Sequence, residues 1–146
     1  MAKTKPYSLS RYRLDRLPFF ATMGIDLHCR SVAINALHFK RGQGLSAFHK
    51  HRRQEEVYIV LSGSGVIRLD NKTVKLRKGD AVRVAPGVSR AIGNPSSPDC
   101  VFLVVGAMPH KVKKGKFEVI PDGIYQENRR TGYHTPEKVV KEWEEE

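Results

Sequence analysis

The stretch HKHRRQEEV, residues 49–57, sets His49 and His51 one residue apart with Glu55 and Glu56 close behind. Imidazole nitrogens and a carboxylate oxygen are a donor set that holds divalent first-row metals. Alternate side chains of a β-strand share a face, so His49 and His51 point the same way and their ring nitrogens can converge on one ion. A third ligand must come from the next strand, across the RRQE turn. Both Glu55 and Glu56 are candidates. Parity does not separate them, because Val57, Ile59 and Leu61 follow one face, Tyr58 and Val60 follow the other, and both faces are largely apolar.

The elements that would position these side chains are short strands. SVAINALHF (31–39), LSAFHKH (45–51), EVYIVLS (56–62), GVIRLD (65–70), KTVKLR (72–77), DAVRVA (80–85) and CVFLVVGA (100–107) are rich in β-branched or aromatic residues. Turn signals separate them: KRGQG, SGSG, DNK, RKGD, APG and GNPSSPD. Short strands at this spacing predict an antiparallel sandwich or barrel. Residues 1–24 read as an arm able to add an edge strand. Beyond Met108 the texture turns polar, with one further strand expected at KFEVI (116–120). In TPEKVVKEWEEE, Thr135 can cap a short C-terminal helix, Pro136 suits its first turn, and Val139 and Trp143 share a face.

The stretch resembles the first motif of the cupins, small β-barrels in which two histidines and a glutamate bind a divalent metal. His49, Lys50, His51, then Glu56 and Gly63 fit its spacing; Gly44 and Gly42 each miss the upstream glycine position by one residue. The resemblance favours Glu56 as the ligand, with Glu55 as a flanking acid. The second cupin motif has a counterpart in GDAVRVAPGVSRAIGN, from Gly79 to Asn94. Ala85 stands where the family has proline, and Pro86 beside it can stiffen the same turn. Arg90 stands where the family has a fourth metal-binding histidine. A guanidinium stays protonated and offers no lone pair, so Arg90 cannot take over that role.

The resemblance covers about 25–107. It implies an all-β cupin barrel, a double-stranded β-helix or jelly roll, organised as an arm (1–24), the barrel (25–107) and a C-terminal extension (108–146). It also implies a divalent cofactor (iron, manganese, nickel or zinc) on His49, His51 and Glu56. Three protein ligands leave room for a substrate, and Arg90 beside them could hold its anionic end in a bidentate fork. Without the ion, Arg90 would pair with Glu56 inside the barrel; the remaining alternative places it at the barrel mouth in solvent. Tyr58 shares the face of Glu56 and is a second candidate for substrate binding. His38 could line the mouth, while Asn94 suits a turn. The function expected is that of a small metal-dependent enzyme acting on a sugar acid or organic acid; the alternative is a non-catalytic anion-binding or sensing cupin. Fold alone does not choose between catalysis and binding.

Composition sets outer bounds. A chain of 146 residues, 40% hydrophobic, is the size of one domain. A net charge of +11 favours anionic partners. The basic residues are spread along the chain without a recognition-helix pattern or RNA-stacking aromatics, which makes nucleic acid an unlikely partner. Two cysteines far apart predict reduced thiols rather than a disulfide framework. No apolar run reaches membrane-spanning length, and the expectation is a cytoplasmic protein. A homodimer is also expected, because both faces of EVYIVLS are apolar and RLPFFAT (16–22) offers an edge strand to exchange, anchored by Phe19 and Phe20.

Overall fold

The computed structural model describes residues 5–107 and 123–125. The described chain forms β1 (Phe20–Ala21), α1 (Met23–Asp26), β2 (Val32–Lys40), β3 (Gly44–His51), β4 (Glu56–Leu69), β5 (Lys72–Arg77), β6 (Ala81–Val84), β7 (Arg90–Gly93), β8 (Asp99–Ala107) and β9 (Gly123–Tyr125). The strands run in the order β1-β2-β8-β4-β7-β3-β9, with β5 and β6 also on β4. All pairings are antiparallel. This is the all-β barrel expected from the strand pattern. The C-terminal helix and the strand expected at 116–120 lie outside the described residues.

Two features differ from the sequence reading. EVYIVLS and GVIRLD are one strand, β4, not two separated by a turn. Its first half pairs with β8 and β6 and its second half with β5 and β7, so one strand serves both sheets. The SGSG segment bends the strand instead of reversing it: the register with β8 shifts between Val60 and Ser62. Gly63 follows with φ +68, and a Cβ there would overlap the Asp99 carbonyl. Only glycine fits such a bend, which explains why a turn signal sits inside a strand. The second difference is β7, four buried residues that begin at Arg90 and pair with both β3 and β4. At four residues it is too short to announce itself by alternation.

Alternation along β2, β8 and β4 builds the interior. Leu37, Phe102 and Val60 lie across from one another and belong to a core that includes Phe39, Ile67, Ile92 and Cys100. The arm joins this structure within the chain. Phe20 and Ala21 pair with Leu37 and Ala36 on the outer edge of β2, Phe19 meets Phe39 at 5.2 Å between ring centroids, and Leu17 packs with Ala21, Ala36 and Val101. His38 secures the arm instead of lining the barrel: its Nδ1 lies 3.0 Å from the Leu17 carbonyl and its Nε2 2.7 Å from Asp99. No described helix is long and apolar enough to cross a membrane.

Both cysteines are free thiols. Cys100 is fully buried, and burial pushes its thiol up to about 12. Cys29 is partly exposed. A thiol reagent should therefore label Cys29 in the native protein and reach Cys100 only after denaturation. Equal labelling of both thiols in folded protein would contradict the packing around Cys100.

Candidate metal centre

Three strands from both sheets converge at one end of the barrel. β3 ends in His49 and His51, β4 begins with Glu56, and β7 begins with Arg90 directly across from His49. Paired antiparallel residues project to the same side, so His49 and Arg90 enter the interior together. The turn before β7 is tied to the end of β3 by a hydrogen bond from the Gly87 amide to the His51 carbonyl, 2.9 Å. Gly87 has φ +82, a conformation a side chain would oppose. That turn fixes where Arg90 starts.

One ligand atom each from His49, His51 and Glu56 lies within 4.8 Å of the others. His51 Nε2 is 3.0 Å and His49 Nε2 3.8 Å from Glu56 Oε1. The two rings are nearly perpendicular, with centroids 5.1 Å apart. Two imidazoles and a carboxylate, buried and converging, suit a divalent first-row cation. Glu55 turns outward to an exposed ion pair with Arg83 at 2.8 Å, which resolves the choice that parity had left open. Glu56 is the acid inside.

Glu56 is the electrostatic centre of this group. Burial would push its carboxyl up, but hydrogen bonds and positive charge from His49 and His51 more than reverse that, and the carboxyl is held far below its ordinary range. Its Oε1 accepts a 2.8 Å hydrogen bond from the Tyr58 hydroxyl. Burial, together with the Glu56 charge, raises the Tyr58 phenol well above its ordinary value against an opposing influence from Arg90. Tyr58 is thus a neutral donor that steadies the carboxylate.

Arg90 is entirely buried. Its Nε lies 3.7 Å from Glu56 Oε1, an ion pair beyond hydrogen-bond length. One terminal nitrogen, Nη2, donates weakly to the carbonyls of Val84 and Ala85 at 3.5 and 3.3 Å. Nε and Nη1 have no hydrogen-bond partner among the described residues. Buried donors rarely stay unsatisfied, because each costs on the order of 1–3 kcal/mol. A cavity of about 40 Å³ opens beside them, lined by Phe20, Asn35, Leu45, Tyr58 and Ile92 among others.

Asn35 and Phe20 are cavity residues that sequence reasoning did not single out. Asn35 lies in register with Val104, which in turn faces Tyr58, and its Oδ1 is buried without a hydrogen-bond partner among the described residues. The available signal was one polar residue at an inward position of an otherwise apolar strand. Phe20 comes from the arm, and nothing local in the sequence tells which barrel wall it meets. Asn94 stays outside the cavity lining and braces a turn, its Nδ2 donating to the Phe39 and Ser97 carbonyls and its Oδ1 accepting from the Ser97 amide.

The Cupin domain family matches residues 36–106, the span from β2 to β8 that carries every residue of this site except Phe20 and Asn35. Residues 36–106 form a cupin domain. The whole barrel is similar to a cupin protein of Bacteroides fragilis, at 26% identity and a TM-score of 0.65 over 77% of this chain and 93% of that one. Among curated relatives, the chain is 39% identical to an uncharacterized protein of Methanocaldococcus jannaschii over 42% of its own length and 50% of the relative's. It is 37% identical to an oxalate-binding protein of Thermotoga maritima over 39% of its length and 47% of the relative's. The chain spans about half the length of the curated relatives it matches.

Proposed function

We propose that His49, His51 and Glu56 hold a divalent metal ion and that Arg90 and Tyr58 face the ligand beside it, making this cupin a small metal-dependent enzyme acting on a small organic anion. The observation that carries the proposal is the convergence of three ligand atoms within 4.8 Å beside a buried guanidinium with unsatisfied donors. When bound, the ion would polarise a ligand oxygen as a Lewis acid. The chain's own residues divide the remaining work. Tyr58 orients the Glu56 carboxylate, Arg90 binds and aligns the anionic end of the ligand, and the apolar wall of Leu37, Leu45, Ile92 and Val104 excludes water. The test is elemental analysis of protein purified without chelator and then reconstituted. About one iron, manganese, nickel or zinc ion per chain is expected, and none would overturn the proposal.

A second reading, an anion-binding or sensing cupin without catalysis, is supported by the Arg90–Glu56 ion pair, which balances charge in the absence of an ion. The name of the Thermotoga maritima relative, an oxalate-binding protein, is compatible with it. Turnover of a bound organic acid separates the two readings.

We also propose a homodimer. Val57, Ile59 and Leu61, on the outward side of β4, are only partly buried within the chain, and an apolar sheet face of this kind gains from being covered. Light scattering at micromolar concentration should return twice the chain mass; a single-chain mass would refute the dimer.

A further inference from the structure

The metal reading has a consequence for charge. With neutral imidazoles as ligands, a divalent ion, the Glu56 carboxylate and the Arg90 guanidinium together leave a net charge of about +2 in the barrel interior. Burying uncompensated charge costs several kcal/mol per ion. A monoanion neutralises only part of it, whereas a dianion neutralises it all. Arg90 presents the matching recognition group, because Nη1 carries two N–H donors and Nε a third, and none of them has a hydrogen-bond partner among the described residues. Without the ion, Glu56 already balances Arg90, and a dianion would then be the poorly compensated species.

Size gives a second limit. A cavity of 40 Å³ has room for about three water molecules. That suits oxalate or malonate better than a hexose-derived acid or a sugar phosphate. Phe20 closes part of this space, and it belongs to β1 of the arm, which lies outside the matched cupin span and pairs with β2. Leu37, Tyr58, Ile92 and Val104 of the wall are buried members of the core, whereas Phe20 is only partly buried and packs against that core from the arm. Phe20 is therefore the side chain whose removal enlarges the cavity at least cost to the barrel.

We infer that this site selects a short dicarboxylate, with Arg90 holding one carboxylate through its unpartnered Nη1 donors and Phe20 of the arm setting the upper limit on chain length. The inference rests on the metal reading for its charge balance, and on cavity geometry alone for its length limit.

The experiment is calorimetric titration of the full-length chain, metal-free and zinc-reconstituted, with acetate, oxalate, malonate and succinate; zinc content is measured after gel filtration. The zinc-loaded wild type should bind oxalate or malonate at least tenfold more tightly than acetate or succinate, and the metal-free protein should bind them at least tenfold more weakly. Arg90→Met should lose at least tenfold in oxalate affinity while keeping its zinc, with Arg90→Lys intermediate because it retains the charge without the planar set of guanidinium donors. Phe20→Ala should gain succinate and still bind oxalate, which tests the length limit even if the Arg90 variants fail to fold. Succinate binding wild type as tightly as oxalate would overturn the length limit, and unchanged oxalate affinity in Arg90→Met would overturn the Arg90 grip. If the wild type takes up neither zinc nor, in parallel reconstitutions, iron, manganese or nickel, the metal reading fails by itself. The ligand assignment then survives only if metal-free protein still prefers oxalate over succinate through Arg90, and falls otherwise.

Discussion

Replacing His49 and His51 together by alanine should abolish metal binding while leaving a folded barrel. Structural zinc sites contribute about 10–16 kcal/mol through four ligands, so each ligand is worth about 3 kcal/mol. Losing two of three protein ligands removes about 6 kcal/mol, a loss of more than ~10⁴-fold in affinity. The fold should survive for an electrostatic reason. Breaking a buried pair is costly when it strands a charge, on the order of 3–5 kcal/mol, but Glu56 in the double variant keeps Arg90 at 3.7 Å and the Tyr58 hydroxyl at 2.8 Å. His51 is wholly buried, so its truncation leaves a cavity, and a lower melting temperature with an unchanged β-sheet circular dichroism spectrum is the expected physical cost. Elemental analysis of wild type and variant, reconstituted side by side, decides the point. A variant that retains stoichiometric metal would remove the histidines from the site.

Much of this arrangement was legible because the barrel repeats a simple rule. Period-two alternation and regularly placed turn residues are enough to predict an all-β barrel, and His-x-His on a strand is enough to put two imidazoles on one face. The spacing to Gly63 suggested which glutamate would be the inner one, and Gly63 proves to be where β4 bends from one sheet to the other. The same glycine misled the strand count, since a local turn signal does not tell a reversal from a bulge; that depends on the Asp99 carbonyl from β8, thirty-odd residues away. The cavity wall was still less legible. Phe20 and Asn35 reach the site through the pairing of β1 with β2 and of β2 with β8, and such long-range register is not encoded in any short window. Arg90 could be seen to break the metal-binding pattern. Its complete burial and unsatisfied donors became visible only once β7 was positioned between β3 and β4.

Arg90→His should raise metal affinity and weaken binding of a dicarboxylate in the same protein. The geometry makes this substitution unusually direct. Arginine Nε and histidine Nε2 stand the same number of bonds from Cα, and Arg90 Nε already lies 3.7 Å from Glu56 Oε1, close to the 3.8 Å of His49 Nε2. An imidazole at position 90 would thus bring a lone pair to about the distance that the existing ligands occupy, where the guanidinium brings a proton. Charge acts in the same direction. A fixed cation several ångströms from a divalent ion is repelled by several kcal/mol at the effective dielectric of a protein interior, and Glu56 offsets only part of that. Removing the cation and adding a donor should together give at least a tenfold gain, read by competition with a chelator. The anion loses its cationic hydrogen-bond donor in exchange, so oxalate affinity should fall at least tenfold. The opposite signs matter, because a merely loosened or destabilised site would lose affinity for both the metal and the anion. If both affinities stay unchanged, the guanidinium at position 90 serves packing and charge balance with Glu56, and the ligand must be held elsewhere.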